Sequence, residues 1–172
     1  MICVGNQSVV TAQRNQDPRF DDLNQTLMLV HGVKQEAVVV ATVLIGVAPL
    51  VLNIPDDVKK RYKGNFSQFE HSVVPRLCSG DQTLWAEFSS AISKNTGNDP
   101  ARTAAKFRML TTRPPGRTHV QGYDYLLLVP VHIDNVNRPR LAFDNALVID
   151  IEADYRQMID AICKAYTARW HL

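Results

Sequence analysis

The chain has 172 residues, of which 45% are hydrophobic and 21% charged, and its formal net charge is +2. A chain of this length and composition can bury a hydrophobic core without disulfides or metals, which excludes the disordered, fibrous and disulfide-scaffold classes. We predict a single domain covering 1–172, in which residues 11–25, without any apolar periodicity, form a polar arm or long loop.

The sequence favours a cytoplasmic location. Polar residues begin almost at once, without the apolar core of a signal peptide. The longest apolar run, 37–52, is shorter than the roughly 20 residues that a transmembrane helix needs, and it is interrupted by a glycine and a proline. We therefore predict buried strands there. The scattered cysteines predict reduced, buried thiols, namely Cys3, Cys78 and Cys163.

The first half of the chain predicts short elements. Residues 26–30 are predicted as a short strand, and the β-branched run 36–45 as a longer one. Acidic residues at the start of 55–63 favour a short basic helix, because they complement the helix dipole. A further helical turn over 65–71 is predicted to end before Pro75.

Two helices with clear start signals follow. Asp81 is predicted to cap a helix over 82–95, and Asp99 with a proline at the next position begins another helix that runs to about Leu110. Tyr123 to Ile133 is then a strand, bulged or edge-placed near its proline, and 141–151 is its antiparallel partner.

The last element is the most regular helix, over 153–170. Apolar residues recur in it at helical spacing and predict the face that packs on the sheet, namely Tyr155, Met158, Ile159, Ile162, Cys163, Tyr166 and Trp170. Strands towards both ends with helices between them predict an α+β fold: a mainly antiparallel sheet, helices grouped in the middle of the chain and a C-terminal amphipathic helix packed on the sheet.

Charge is segregated along the chain. Residues 1–58 carry a balance of −3, residues 59–117 of +7 and residues 118–172 of −2. Such a basic middle third favours an anionic partner. The candidate residues for nucleic-acid or anion binding are Lys59, Lys60, Arg61, Lys63, Arg102, Lys106, Arg108, Arg113 and Arg117.

These basic residues predict a phosphate-binding surface. Arg102 and Lys106 are four residues apart and share a helix face, which Arg113 and Arg117 are predicted to extend along the following loop. A small solvated basic face is the alternative. The same segregation favours self-association, in which the basic middle of one subunit meets the acidic last third of another, head to tail.

Signatures of chemistry are weak. The sequence has no nucleotide-binding glycine loop, serine-hydrolase elbow or zinc-binding pair, and we predict no catalytic residue, cofactor or metal. The best metal hypothesis places Asp150 and Glu152 on one side of a strand, joined by Asp144 or Asp134. Helix capping is the simpler explanation of the two acids.

A Cys78–His71 nucleophile is a further hypothesis, and nothing in the spacing of the two residues supports it. The sequence thus favours a non-enzymatic binding and assembly protein of the matrix, coat or accessory type. Its expected partners are RNA or DNA, or an anionic surface, together with further copies of itself or a partner protein. The alternatives are an unfamiliar, metal-dependent enzyme that uses the acid pair, and an adaptor subunit that binds only protein.

Overall fold

The computed structural model describes residues 1–12, 14–53, 69–135 and 137–170. In this part of the chain the strands are β1 (Ile2–Val9), β2 (Val38–Gly46), β3 (Leu50–Leu52), β4 (Ile92–Lys94), β5 (Tyr125–His132) and β6 (Arg140–Leu141). The α-helices are α1 (Gln16–Val33), α2 (Val74–Cys78), α3 (Gln82–Glu87), α4 (Asp99–Phe107) and α5 (Ile151–Trp170). A π-helical turn, Phe69–Val73, leads into α2.

The main sheet has four strands in the order β1-β2-β5-β6. β1 pairs parallel to β2, and β2 pairs parallel to β5. Only the short β6 runs antiparallel, with Leu141 opposite Val131. The α+β class fits, but the prediction of a mainly antiparallel sheet is wrong, because long crossover connections containing helices join the first three strands. Nearly every residue of β2 is buried, as expected for a central parallel strand.

α1 occupies much of the segment predicted as a loop. The predictions of a polar arm over 11–25 and a strand over 26–30 are wrong, because residues 16–33 are helical. The buried side chains are Leu23, Leu27 and His31, which is only one residue per turn. The stripe packs on β1 where Gly5 leaves room: a Cβ on Gly5 would lie 3.1 Å from Leu23 Cδ2.

A smaller unit is inserted between β2 and α4. β3 and β4 form a two-stranded antiparallel sheet, and a separate apolar cluster lies beside it, made of Leu52, Val74, Leu77, Leu84, Phe88 and Ala91. Asp81 caps α3 as predicted, since its Oδ1 accepts hydrogen bonds from the Thr83 and Leu84 amides at 3.1 and 3.2 Å. The predicted helix over 82–95 is too long, because residues 92–94 pair with β3 instead.

The predicted beginnings of helices agree with the structure better than the predicted ends of helices and strands do. α4 begins at Asp99 as predicted, and it buries Ala104 and Phe107. Pro75 does not end a helix: it lies in the first turn of α2, where its missing N–H costs no hydrogen bond. The predicted partner strand over 141–151 reduces to Arg140–Leu141, because the chain then turns, with the Asn145 amide donating to the Ala142 carbonyl.

α5 packs on the sheet with a narrower face than predicted. The buried residues of the helix are Ile151, Met158 and Ala165, spaced one per two turns. Tyr155 and Ile159, predicted to face the sheet, remain 52% and 42% exposed. The helix therefore carries an apolar surface that the sheet does not use. None of the helices in the described residues has the length and apolar character required to cross a membrane, and the run 37–52 forms β2 and β3.

Candidate functional site

The structure places the predicted basic residues in different environments. Lys59, Lys60, Arg61 and Lys63 lie outside the described residues. Arg102 is exposed on α4, where Lys106 forms an ion pair with Asp17 and lies 5.3 Å from the centre of the Phe20 ring. Arg108 and Arg117 are exposed; Arg108 Nη2 donates to the Leu147 carbonyl at 2.7 Å. The described basic side chains therefore do not form one continuous face.

Arg113 is buried, so the prediction that it extends an exposed basic face is wrong. Its side chain has no exposed surface. Nε donates to Asp124 Oδ1 at 3.3 Å, and Nη1 donates to the carbonyls of Gln35 and Val120 at 2.9 and 3.2 Å. Burial lowers the pKa of the guanidinium below its ordinary value, and Asp124 partly offsets that effect. Arg113 is thus an internal cation and cannot bind a phosphate at the surface.

Arg169 of α5 completes a buried charge cluster, which we define as Arg113, Asp124 and Arg169. Arg169 Nη1 donates to Asp124 Oδ2 at 3.1 Å and to the Ala37 carbonyl at the same distance. The Val39 amide also donates to Asp124 Oδ2, at 2.8 Å. One carboxylate thereby links the start of β2, the start of β5 and the last turn of α5. The cluster holds the amino edge of the sheet together.

His31 lies close to the buried charge cluster and makes stability depend on pH. Burial lowers the pKa of its imidazole below the ordinary value of 6.5, and the positive charge of Arg113 lowers it further. Below about pH 6.5, the His31 imidazole therefore binds a proton more readily in the unfolded chain than in the folded protein. We expect stability to decrease as the pH falls through this range, and less so in His31→Leu. Urea unfolding at pH 7.5 and pH 5.5 measures the difference, and equal pH dependence of the two proteins would contradict it.

A cleft of about 440 Å³ brings cations, hydroxyls and an aromatic ring together. We call it the basic cleft, and it is lined by Thr11, Arg14, Trp85, Ser89, Ile92 and Lys94. Lys94 Nζ lies 3.6 Å from the centre of the Trp85 ring. The indole is held in place because its Nε1 donates to the Leu77 carbonyl at 2.7 Å. None of these six described residues is a carboxylate, so together they carry the positive charge of Arg14 and Lys94.

Asn95 positions the two sides of the basic cleft. Its Oδ1 accepts from the Ala12 amide at 3.0 Å, and its Nδ2 donates to the Ala48 carbonyl at 2.9 Å. The side chain thus ties the loop after β1 to the loop after β2, directly beside Lys94. α1 begins at Gln16, two residues after Arg14, so the positive end of its dipole adds to the same potential.

The sequence did not predict that the residues of the basic cleft lie together. Arg14 lay in the segment predicted as a loop, and Trp85 and Lys94 lay on one predicted helix. Nine residues on a helix of 3.6 residues per turn separate two side chains by about 180°, on opposite faces. Because α3 ends at Glu87 and residues 92–94 return as a strand, the two side chains meet instead. No local signal in the sequence encodes this contact.

A second cleft, of about 550 Å³, lies where β5 and β6 meet the small sheet. We call it the edge cleft. Its polar lining is Cys78, His132, Asp134, Asn137 and Arg140, and its apolar lining includes Leu50, Leu52 and Val74. The Asp134 carboxylate accepts hydrogen bonds from the Asn137 amide at 2.7 Å and from Asn137 Nδ2 at 2.6 Å.

The structure does not place Asp150 and Glu152 in the arrangement that the metal hypothesis requires. Asp150 and Glu152 are not on a strand: Asp150 Oδ1 accepts the Ala153 amide at 2.9 Å and caps α5, while Glu152 forms an ion pair with Arg156 at 3.3 Å. In the described part of the chain, no three His, Cys, Asp or Glu side chains are placed to hold a metal ion.

The cysteines are not in the environment predicted for them. Cys78 and Cys163 are exposed rather than buried, and Cys3 is half-buried. Cys78 lines the edge cleft, whereas His71 is not among the residues that line it. The structure therefore gives the Cys78–His71 hypothesis no support.

Comparison of the chain with known protein families, with curated protein sequences and with solved structures found no match.

Proposed function

We propose that the protein is a non-enzymatic binding and assembly protein that binds single-stranded nucleic acid in the basic cleft and associates with a second copy of itself. The observation that supports nucleic-acid binding is the convergence of Arg14, Lys94 and Trp85 around one cleft, none of whose described lining residues is a carboxylate. Cations without neighbouring acids attract phosphates, and an adjacent aromatic ring suits an unpaired base.

Nucleic acid fits the basic cleft better than an acidic protein surface does. Carboxylates would use the charges of Arg14 and Lys94 only, whereas a base would also contact the part of the Trp85 ring that Lys94 does not cover. The hydroxyls of Thr11 and Ser89 add hydrogen-bond donors to phosphate oxygens at the same place.

Replacing Arg14 and Lys94 together by alanine is expected to weaken binding of a fluorescent oligothymidylate. Two lost phosphate contacts should also reduce the slope of log K against log salt by about 1.4, since each contact to a single strand contributes about 0.7. Fluorescence anisotropy over a salt series measures both quantities.

The matched control replaces Arg138 and Lys34, which are exposed and lie outside the basic cleft. It removes the same charge and should leave the salt slope unchanged. Equal losses in the two double variants, or a parent protein that does not bind, would count against the proposal and favour the protein-only adaptor. Arg113 is unsuitable for this test because its replacement disturbs the buried charge cluster.

The unused apolar surface of α5 supports association with a second copy. Beside the helix lies an apolar groove of about 420 Å³, whose lining includes Leu141, Phe143 and Tyr155. Leu141 and Phe143 are exposed, as are Tyr155 and Ile159 on the helix. A helix whose apolar face is only partly covered by the sheet is typical of an interface between subunits.

The charged side chains beside this apolar stripe are complementary to those of a second, antiparallel copy of α5. They alternate in sign at four-residue spacing, as Glu152, Arg156, Asp160 and Lys164, and form ion pairs within the helix. In two antiparallel copies of α5 whose two-fold axis lies at the level of residue 158 along the helix, Glu152 faces Lys164 of the second copy and Arg156 faces its Asp160. Every charge then meets its opposite, so the stripe favours a symmetric dimer rather than the head-to-tail contact inferred from the sequence.

The Ile159→Lys variant is expected to shift the protein from dimer to monomer, because a charged group would be buried in the apolar contact. Size-exclusion chromatography with light scattering at several concentrations measures the mass. Leu29→Lys is the matched control, since Leu29 is an exposed apolar residue on α1. Arg156→Glu should weaken the dimer, and adding Asp160→Arg should restore it. A monomeric parent would contradict this half of the proposal.

A further inference from the structure

We propose that the edge cleft binds a small organic carboxylate, with Arg140 and His132 at the charged end and the apolar wall against the hydrocarbon part. This inference is independent of nucleic-acid binding in the basic cleft. The volume of about 550 Å³ suits a small molecule, since ligand pockets typically measure about 300–1,000 Å³. The edge cleft also lies beyond the carboxyl ends of β2 and β5, where ligands bind in open sheets that contain parallel strands.

Strand pairing places His132 and Arg140 together at one end of the edge cleft. His132 at the end of β5 lies directly opposite Arg140 of β6 in the antiparallel register. Cβ atoms of such opposite residues are about 4.5–5.5 Å apart, so the imidazole and the guanidinium reach one ligand group together. Among the described residues, neither side chain makes a hydrogen bond or an ion pair with another.

Asp134 is the one carboxylate among the described residues that line the edge cleft, and it is not paired with Arg140. Asp134 accepts two hydrogen bonds from Asn137, which fixes its carboxylate in the turn between β5 and β6. One arginine fork matches the two oxygens of a carboxylate, and the imidazole offers one more donor. Leu50, Leu52 and Val74 form the apolar wall. These features together select a carboxylate attached to an apolar group.

Cys78 provides a reporter inside the edge cleft, because its exposed thiol is among the lining residues. Iodoacetate and iodoacetamide alkylate thiols in the same way: the thiolate sulfur bonds to the methylene carbon, and iodide leaves with the bonding electron pair. Only the first reagent carries a carboxylate. We expect the rate ratio of iodoacetate to iodoacetamide at Cys78 to exceed that at exposed Cys163 about fivefold, the effect of one unit charge about 4 Å away in water. Peptide mass spectrometry measures both rates in the same sample.

The Arg140→Ala variant should lower the ratio at Cys78 to that at Cys163, whereas Arg138→Ala, which removes an exposed arginine outside the cleft lining, should leave it unchanged. Hexanoate should also slow alkylation of Cys78 by iodoacetamide, and hexanamide at equal concentration should not. Equal ratios at the two cysteines, a ratio unaffected by Arg140→Ala, or a Cys78 that reacts with neither reagent would each overturn the proposal. Failure of the oligothymidylate to bind would leave all these results unchanged.

Discussion

Replacing Asp124 by asparagine is expected to destabilise the protein by about 3–5 kcal/mol, the cost of removing one partner from a buried ion pair. The side chains of Arg113 and Arg169 would then remain buried without a counter-charge, since neither has any exposed surface. The main-chain carbonyls around them satisfy hydrogen bonds but carry no net charge. Urea unfolding followed by circular dichroism measures the loss.

Asp144→Asn is the control for this change. It alters the net charge equally at an exposed position and should shift the free energy of unfolding by less than about 0.5 kcal/mol. A double-mutant cycle with Arg169→Met should give a non-zero coupling energy, because the two side chains share hydrogen bonds. Stability of Asp124→Asn equal to that of Asp144→Asn would show that the buried charge cluster does not hold the amino edge of the sheet.

Gly46→Ala is the second change expected to have a large effect, a loss of about 3 kcal/mol. A Cβ atom at Gly46 would lie 2.1 Å from the carbonyl oxygen of Val10 and 2.8 Å from its carbonyl carbon. Both atoms belong to the main chain just after β1, so β1 and β2 would have to separate at their carboxyl ends. Thermal and urea unfolding of the variant measure the loss.

Gly32→Ala tests whether the effect comes from this contact rather than from losing a glycine. Apart from its chain neighbours and the backbone of its own helix, nothing lies within 4 Å of a Cβ built on Gly32, and the residue is helical. That variant should gain about 0.5–1 kcal/mol, because alanine favours the helix. If Gly46→Ala were as stable as the parent, the loop after β1 would have to move freely away from β2.

Local signals in the sequence predicted α4, α5 and the two central strands well. The cap at Asp81 and the start signal of Asp99 followed by proline depend on neighbouring residues only, and the β-branched run of β2 indicates a buried strand wherever it pairs. α1 was missed because Leu23 and Leu27, with His31, supply too few apolar residues for a visible period. Without α1, no crossover helix follows β1, and the parallel pairing of β1 with β2 could not be inferred.

The candidate sites depend on contacts between distant parts of the chain. Arg113 looked like a surface cation because the sequence does not show that Asp124 and Arg169 meet it in the interior. The Asn95 hydrogen bonds join the loop that carries Arg14 to the end of the strand that carries Lys94. Strand register, rather than spacing along the chain, brings His132 and Arg140 together. In each case the type of the residue suggested a binding role, but its position along the chain did not show which other residues lie close to it in space.

The buried charge cluster also has a consequence for synthesis of the chain. Asp124 and Arg113 leave the ribosome first, while Arg169 follows Asp124 by 45 residues. During that interval the carboxylate has only one of its two guanidinium partners, and the amino edge of the sheet is not yet closed by the last turn of α5. Since domains begin to fold as they are made, β1, β2 and β5 can assemble early, but the tertiary structure is completed only when α5 has emerged.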